Sequence, residues 1–303
     1  MGRRVHFIIN PISGRRGRRR RRLDAFMARL SAAGHDVHAD ITRGPGDATR
    51  LAREACAAGA DLIGVAGGDG TIHEAVEGMI DSGIPVLVIP CGTENVIAKY
   101  LGIRLTMDGL WAAFERGPLR TFRAMDANGR NVLFSCGLGV DGEIIRAISS
   151  RRKGHISYWT YVTPILRALV RFRSADFTLT LDGVNVYSGP GLVIVGKVPR
   201  YALGIKALWR ANPADEWLDV AVFPRRGAIP LIWDAIRLLV NPQWRSSGAF
   251  YAKGKSLRVT ADRPSPMQMD GEYGGESPLD VRITERTVRM LAAPQAADDG
   301  AGR

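Results

Sequence analysis

Cysteine is scarce in this sequence, and the few cysteines follow no metal-binding spacing. Cys56, Cys91 and Cys136 are scattered along the 303 residues. An odd number of cysteines cannot all pair, and such a chain is typical of a reducing compartment. The sequence therefore predicts a cytoplasmic protein with neither a disulfide framework nor a cysteine-rich zinc site.

Long apolar runs are absent as well. A membrane-spanning helix needs roughly 18 or more apolar residues in succession. The longest apolar helical segments, Tyr158–Phe172 and Ala228–Val240, are interrupted by Pro164, Arg167, Asp234 and Arg237. The arginine-rich start is not followed by an apolar core with a cleavage-like site. We therefore expect neither a membrane span nor a signal peptide.

Several common catalytic signatures are missing. The sequence contains no G-x-x-x-x-G-K-[ST] loop, no protein-kinase catalytic signature, no H-E-x-x-H and no G-x-S-x-G, and its five histidines do not cluster. These absences argue against P-loop nucleotide hydrolases, protein kinases, zinc proteases and α/β-hydrolases.

Positive charge, by contrast, is abundant. The net charge is +12, and Arg15, Arg16 and Arg18–Arg22 form a block at the start of a helix. Such a block suits an anionic partner, either a phospholipid surface, a nucleotide or a nucleic acid; the alternative is a solvated basic face. Aromatic residues do not alternate with these arginines, so the stacking surface of a single-strand binder is missing and no nucleic-acid partner is expected.

A glycine loop is the most informative stretch. Gly67-Gly68-Asp69-Gly70-Thr71 follows an apolar run and precedes a helical pattern. Glycines let backbone N–H groups approach a phosphate, and a helix start adds partial positive charge. The alternative is a tight turn in which Thr71 is the N-cap and Glu74 completes a capping box. Asp69 would repel a phosphate, so we expect it to orient a hydroxyl, a lysine or a metal-bound water.

Strands and helices alternate through the first hundred residues. The pattern predicts strands at Val5–Ile9, Asp36–Thr42, Asp61–Ala66 and Val86–Ile89, and helices from Arg18, Asp47 (a plausible N-cap), Ile72 and the segment after Asn95. This alternation predicts a doubly wound parallel sheet. Polar loops around Asn10, Gly67 and Gly92 would then lie along one edge of that sheet.

After about Leu119 the pattern becomes mostly antiparallel β. Asn128-Gly129 and Asp182-Gly183 predict hairpin turns. Further strands are predicted at Asn131–Cys136, Gly191–Val198, Trp217–Phe223, Ser256–Thr260, Leu279–Ile283 and Val288–Leu291, with helices at Ile156–Val170 and Ile229–Leu239. The tail from Pro294 is predicted to be disordered. Gly137–Gly142 fits G-x-G-x-x-G, but its strand belongs to the antiparallel half, which argues against dinucleotide binding.

Two acidic constellations lie in this second half. One is Asp270-Gly271-Glu272 in a turn, and the other is Asp215-Glu216-Trp217-Leu218-Asp219 before a strand. Carboxylates near a phosphate site can act as a general base or as metal ligands. The alternative is an ordinary β-turn in the first case and a surface turn in the second.

Taken together, these motifs resemble the diacylglycerol-kinase catalytic-domain family, which includes soluble bacterial diacylglycerol kinases and the related sphingosine and ceramide kinases. The matching segments are Asn10–Gly14, Gly67–Thr71 with Glu74, Pro90–Thr93 with Asn95, Phe134–Asp141, Asp215–Val222 and Asp270–Glu272. Their order and spacing hold from about residue 3 to residue 291.

The resemblance implies two domains with the active site in the cleft between them. These are an α/β nucleotide-binding domain at 1–119, similar to phosphofructokinase and NAD kinase, and a β-sandwich lipid-substrate domain at 120–293. The last strand can return to the first domain, and 294–303 is the tail. The implied activity is ATP-dependent phosphorylation of a lipid hydroxyl, diacylglycerol-like or another long-chain alcohol, with Mg²⁺. A homodimer is compatible with the sequence, as is peripheral contact with the inner face of the cell membrane.

The resemblance also implies roles for individual residues. The nucleotide would be held by Asn10, Ser13, Gly14, Thr42, Gly67, Gly68, Asp69, Gly70, Thr71, Glu74 and Thr93. Asp270 or Glu272 would take the hydroxyl proton. Asp215 and the Trp217 carbonyl, with Asp219, would hold a structural Mg²⁺.

Three positions depart from the family pattern. Val96 stands where many members have Asp, which leaves the acceptor open, Lys197 stands where an Asn is frequent, and Glu216 replaces a common Gly. Two alternatives stay open, the first because NAD kinases share the Gly67–Thr71 motif and the second because of Val96 and Lys197. One is a NAD-kinase-like enzyme, and the other is a nucleotide or membrane binder that has lost the chemistry.

Overall fold

The chain forms two compact units. The computed structural model describes residues 2–13, 17–92, 95–149, 172, 174–201, 204–240 and 248–294. One unit is Met1–Phe122 with Arg286–Arg303, and the other is Arg123–Glu285. The boundary predicted at 119 lies three residues before the observed one, and the last strand contributes residues to both units. The predicted helix at 156–170 and the predicted tail from residue 295 onward lie outside the described residues.

The first unit alternates strands and helices. Its elements are β1 (Arg4–Ile9), α1 (Arg18–Ala32), β2 (Asp36–Ile41), α2 (Asp47–Ala57), β3 (Leu62–Gly67), α3 (Asp69–Met79), β4 (Pro85–Pro90), α4 (Val96–Tyr100) and α5 (Met107–Arg116). The strands pair in parallel in the order β2-β1-β3-β4. All six residues of β3 are buried, as expected for a strand covered on both faces. The predicted parallel sheet is confirmed.

Two helix starts in this unit differ from the sequence prediction. The N-cap of α2 is Gly46 in the left-handed conformation, so the predicted Asp47 cap is wrong. Asp47 is instead the first helical residue, and its Oδ2 accepts the Arg43 N–H at 2.6 Å. Helix α5 was not predicted at all; Thr106 caps it by accepting from the Gly109 N–H at 3.1 Å.

The second unit contains two antiparallel sheets. Its elements are β5 (Leu119–Ala127, which begins in the first unit), β6 (Arg130–Val132), β7 (Ser135–Leu138), α6 (Val140–Ser149), β8 (Asp176–Leu181), β9 (Val184–Pro190), β10 (Leu192–Gly196), β11 (Leu218–Phe223), α7 (Ala228–Val240), β12 (Phe250–Gly254), β13 (Ser256–Ala261), β14 (Pro266–Met269), β15 (Glu272–Glu276) and β16 (Leu279–Leu291). One sheet has the order β12-β11-β10-β7-β14-β15. In the other, β16, β13, β8 and β9 pair in that order. A shared apolar core joins residues from both sheets, and the predicted β-sandwich is confirmed.

The β-strand predictions need three corrections. The predicted strand Asn131–Cys136 is two strands in different sheets, because the chain bends at Leu133 and Phe134. The two strands predicted at the end are one, β16, which pairs with β13 and, in parallel, with β4. Strands β12, β14 and β15 were not predicted. Both predicted hairpin turns are present, with positive φ at Asn128-Gly129 and Asp182-Gly183.

Candidate active site

Three polar loops lie side by side at the carboxyl edge of the parallel sheet. Asn10 follows β1; its N–H donates to Ala66 O at 2.9 Å, and its Nδ2 donates to Thr71 Oγ1 at 2.8 Å. The first loop is thereby joined to the second. This convergence is what the alternation of strands and helices predicted.

The second and third loops touch through their glycines. The Cys91 and Gly92 N–H groups donate to Gly67 O at 2.9 and 3.2 Å. A Cβ added to Gly92 would lie 2.6 Å from Gly68 Cα, closer than atoms pack in proteins. Glycine is therefore required here for the contact between loops, in addition to any approach of a phosphate.

The predicted capping box of α3 is wrong. The helix begins at Asp69 with Gly68 as an extended N-cap that makes no side-chain cap hydrogen bond. Thr71 instead accepts from Asn10, and Glu74 Oε2 accepts the Gly46 N–H at 3.0 Å. A helix start that carries no side-chain cap presents N–H groups and the positive end of the helix dipole, which suits an anion.

Asp69 contacts the third loop. Its Oδ2 and Oδ1 accept the N–H groups of Val96 and Ile97 at 3.1 and 3.2 Å, at the start of α4. The Asn95 side chain closes the same loop by bonding both the Gly92 N–H and the Gly92 carbonyl at 2.8 Å. Asp69 therefore caps a neighbouring helix; its predicted role in orienting a nucleotide or metal-bound water stays a prediction.

Part of the arginine block makes hydrogen bonds and an ion pair within the first unit. Arg19 Nη1 donates to the carbonyls of Cys91 and Gly92, the latter at 3.0 Å. Arg20 pairs with Asp24 at 2.8 Å, and Arg22 donates to Leu105 O at 2.9 Å. The sequence pattern did not reveal that Arg19 supports the third loop, because the two are 72 residues apart.

The remaining predicted nucleotide residues of this unit are placed as follows. The Thr42 N–H donates to Ile9 O at 2.9 Å, so Thr42 extends the edge at the end of β2. The Ser13 N–H donates to Asn10 O at 3.3 Å. Gly14 and Thr93 lie outside the described residues.

In the second unit, Asp270 accepts three backbone hydrogen bonds. Its carboxylate receives the N–H groups of Leu133, Phe134 and Ser135 at 2.8, 2.9 and 2.9 Å, and its own backbone adopts a left-handed φ of 48°. Asp270 therefore holds the bend between β6 and β7. Glu272 has a looser environment: its Oε2 lies 3.6 Å from Arg130 Nη2, and the side chain is 39% exposed.

The predicted metal ligands surround a lysine. Lys197 is 0% exposed, and its Nζ donates to the Asp215 carbonyl at 2.9 Å, to the Trp217 carbonyl at 2.5 Å and to Asp215 Oδ1. Burial raises the pKa of Asp215, but Lys197, the Trp217 N–H and Lys253 outweigh it and bring that pKa below its usual value. Burial lowers the pKa of Lys197, and its bond to Asp215 opposes the shift.

Asp219, the third predicted ligand, is also paired. It is fully buried, its Oδ1 accepts from the Tyr251 hydroxyl at 2.5 Å, and burial raises its pKa. Its Oδ2 makes no hydrogen bond but lies 3.4 Å from Lys253 Nζ, which compensates its charge. Among the described residues, no group of three or more His, Cys, Asp or Glu side chains could hold a metal. Because the Lys197 ammonium already bonds the Asp215 and Trp217 oxygens, the residues as they stand do not fit the predicted structural Mg²⁺, and binding of that ion at segment 215–219 stays a prediction.

A further carboxylate of the second unit, Asp141, was not predicted to have any role. The Tyr201 hydroxyl donates to Asp141 Oδ2 and accepts from Gln268 Nε2 at 2.7 Å. The Gly142 N–H donates to Asp141 Oδ1 at 2.8 Å. Burial raises the pKa of Asp141 to about 6, against the bonds from Tyr201 and Gly142. Asp141 lies in the G-x-G-x-x-G stretch, where it occupies the first turn of α6.

Comparison with known proteins supports the family resemblance found in the sequence. Residues 4–127 match the model of the diacylglycerol kinase catalytic domain, and residues 135–292 match the YegS C-terminal NAD kinase beta sandwich-like domain. The chain is 27% identical over 300 residues to a diacylglycerol kinase of Bacillus subtilis, covering 97% of this chain and 98% of that protein. It is 25% identical over 295 residues to one from Staphylococcus aureus strain MRSA252, covering 96% and 93%.

A solved structure shares the fold. A diacylglycerol kinase from Bacillus anthracis strain Sterne superposes with a TM-score of 0.74 at 22% identity, covering 97% of this chain and 98% of that one. Within the described residues, no helix is both long and apolar enough to cross a bilayer.

Proposed function

The chain belongs to the family defined by the diacylglycerol kinase catalytic domain and its YegS-type C-terminal domain, and we propose that it is an ATP-dependent lipid kinase. It transfers the γ-phosphoryl group of ATP to the hydroxyl of a diacylglycerol-like lipid or another long-chain alcohol. The observation that carries this proposal is the set of three bonded loops at one edge of the parallel sheet. The match to the diacylglycerol kinase model agrees with it, and the NAD-kinase-like alternative is not favoured.

The first unit supplies the nucleotide end of the reaction. The backbone of Gly67–Thr71 and the start of α3 would face the phosphates, since phosphoryl transfer depends mainly on positioning and charge neutralisation. Asn10 holds Thr71 in place, and Asp69 and Arg19 hold the third loop. Glu74 anchors the loop before α2. Mg²⁺ would enter with ATP and neutralise charge on the phosphates.

The second unit supplies the proton acceptor. Asp270 and Glu272 are the two candidates for the base that accepts the hydroxyl proton, and their contacts separate them experimentally. Asp270 is bonded to three backbone N–H groups, whereas Glu272 faces Arg130 at 3.6 Å. Replacing Glu272 by Gln should leave the fold intact, so a lost turnover in that variant would identify Glu272 as the base.

The lipid must be reached from a bilayer, and α7 offers a surface for this. Six large apolar residues of α7 are exposed on one face: Ile229, Ile232, Trp233, Ile236, Leu239 and Val240. All residues of α7 are described, and its carboxylate, Asp234, is buried against Arg225 at 2.9 Å. The exposed side of the helix carries Arg237 and no acid. An apolar face edged by positive charge suits insertion into the headgroup region of an anionic membrane.

We therefore assign the peripheral contact with the membrane to α7, and the protein would act at the cytoplasmic face. The described arginines at positions 19, 20 and 22 of the early block bond to other residues of the chain. They are therefore less suited to binding the anionic phospholipid surface that the sequence suggested. A second copy of the chain as a partner stays a prediction, which analytical ultracentrifugation would test.

A direct assay tests the proposed function. The purified chain is incubated with γ-labelled ATP and Mg²⁺ in mixed micelles that contain diacylglycerol, ceramide, sphingosine or a long-chain alcohol, and a parallel reaction contains NAD. We expect label in at least one lipid product, and mass spectrometry of that product identifies the acceptor that Val96 leaves open. Label in NAD alone, or in no product, would overturn the proposal.

A further inference from the structure

A fully buried ammonium group lies in the second unit. Lys197 follows β10, its backbone N–H is fixed by Phe134 O at 2.9 Å, and its exposed fraction is zero. A buried charge is costly unless oxygen atoms replace its hydration. The surroundings of Lys197 Nζ are therefore built for a cation.

The oxygens around this nitrogen match its hydrogens in number. An ammonium has three N–H donors, and three oxygens accept them: the carbonyls of Asp215 and Trp217 at 2.9 and 2.5 Å, and Asp215 Oδ1. The arrangement uses two main-chain oxygens and one carboxylate oxygen, which is the kind of donor set that a hard divalent cation also takes.

A second ammonium completes the charge balance. Lys253 Nζ lies 3.3 Å from Asp215 Oδ2 and 3.4 Å from Asp219 Oδ2, and it donates to Arg210 O at 3.1 Å. Two carboxylates thus face two ammonium groups, and the cluster is neutral. Mg²⁺ requires near-octahedral oxygens at about 2.0–2.1 Å, but the ammonium of Lys197 already occupies the point where the oxygens of Asp215 and Trp217 converge.

We propose that the ammonium group of Lys197 replaces the structural divalent cation that the resemblance implied for segment 215–219. The segment is held by a cation that is part of the chain, so its structure needs no metal. Any metal requirement of the protein would then arise with the nucleotide alone.

Nucleotide-free protein tests this, without any need for kinase activity. The thermal midpoint is measured in EDTA and in excess Mg²⁺ for the wild type, Lys197→Asn and Lys255→Asn. Asn removes the ammonium and offers an amide oxygen. We expect the wild type to differ by less than about 1 °C between the two buffers. We expect Lys197→Asn to lose at least about 5 °C in EDTA and to regain about half of it in Mg²⁺.

Lys255→Asn is the matched control. Lys255 is 54% exposed and contacts Glu216 at 3.4 Å, so its replacement should change the midpoint little and create no dependence on Mg²⁺. A saturable rise of the wild-type midpoint with Mg²⁺ that disappears in Asp215→Asn would overturn the proposal.

A binding measurement covers the case in which Lys197→Asn fails to fold. Mn²⁺ is titrated into nucleotide-free wild type and Asp215→Asn, and bound ion is followed by its paramagnetic resonance. Equal binding by the two proteins supports the proposal. One additional equivalent on the wild type contradicts it.

Discussion

Asp69 and Asp270 were each predicted to have a chemical role, and each has a structural role in the fold. Each was singled out as a carboxylate close to phosphoryl transfer, and each accepts backbone N–H groups from a distant segment. Unmade hydrogen bonds of buried backbone groups are costly. Each aspartate therefore maintains the local backbone shape in its own unit, Asp69 at the start of α4 and Asp270 at the 133–135 bend.

Replacing Asp270 tests that structural role. Asp270→Asn presents an NH₂ group to N–H donors of the 133–135 bend, so we expect the free energy of unfolding to fall by about 1 to 3 kcal/mol. Glu272→Gln removes only a partly exposed ion pair with Arg130 and should cost under about 0.5 kcal/mol. Urea unfolding followed by fluorescence measures both values. Equal stability of the two variants would contradict the assigned role of Asp270.

Asp141 predicts a pH dependence of stability. Its pKa is raised from 3.8 to about 6 by burial. Between these values the folded chain keeps a proton that the unfolded chain releases, so this group's contribution to stability is largest below about pH 4 and declines as pH rises to about 6. Unfolding at several pH values compares the wild type with Asp141→Asn.

The difference in unfolding free energy between those two proteins isolates Asp141 from the other titrating groups. We expect the wild type to lose about 1 to 3 kcal/mol relative to Asp141→Asn from pH 4 to pH 6.5. Tyr201, Gln268 and the buried Cys136 face this carboxylate, and none of them titrates in that window. A constant difference across the range would contradict the raised pKa.

At the scale of elements, the third loop, around Gly92 between β4 and α4, is held in place by several neighbouring elements. It is bonded to the second loop through Gly67 O, to α1 through Arg19 and to α3 through Asp69. Its described residues, Cys91, Gly92 and Asn95, lie outside helices and strands, and α4 begins at Val96. Its geometry is therefore set by packing against three other elements.

A single methyl group should disturb that packing. Gly92→Ala would place Cβ 2.6 Å from Gly68 Cα, so the two loops must separate. We expect the Kd for ATP to rise about tenfold or more, because small misplacements of a phosphate site are costly. Fluorescent-nucleotide titration measures the effect. Gly44→Ala, where a Cβ meets no atom within 4 Å, is the control, and equal affinity of both variants would contradict the argument.

At the scale of the molecule, the proposed membrane docking would combine net charge with one apolar helix. A charge of +12 attracts an anionic bilayer at a distance, and this attraction weakens as salt screens it. In the proposed docking, the exposed face of α7 would add a contribution that salt does not screen, since burial of apolar surface is not ionic. The two contributions can therefore be separated.

Vesicle sedimentation makes the separation. We expect wild-type binding to phosphatidylglycerol vesicles to weaken as salt rises from about 50 to 500 mM. The double variant Trp233→Ser/Ile236→Ser should bind at least about tenfold more weakly at both salt concentrations. Val184→Ser, at a position 63% exposed on β9, is the control. Unchanged binding of the α7 variant would assign the contact to another surface.

The sequence by itself determined the features that depend on neighbours along the chain. Periods of two and 3.6 residues, glycine loops after apolar runs and Asn-Gly turns are local signals. They predicted the parallel sheet, the two hairpin turns and the position of the three loops. Local signals failed where a tertiary contact decided the outcome, as in the bend at Leu133 and the cap of α3.

Only the tertiary structure decided which distant groups each charged side chain contacts. Asp270 bonds to Leu133 across 137 residues, and Arg19 reaches Cys91 across 72. Lys197, directly after β10, and Asp215, shortly before β11, are 18 residues apart. Such pairs form because the sheets bring distant segments together and because buried charges must find partners. That requirement placed an ammonium group where the family resemblance implied a metal.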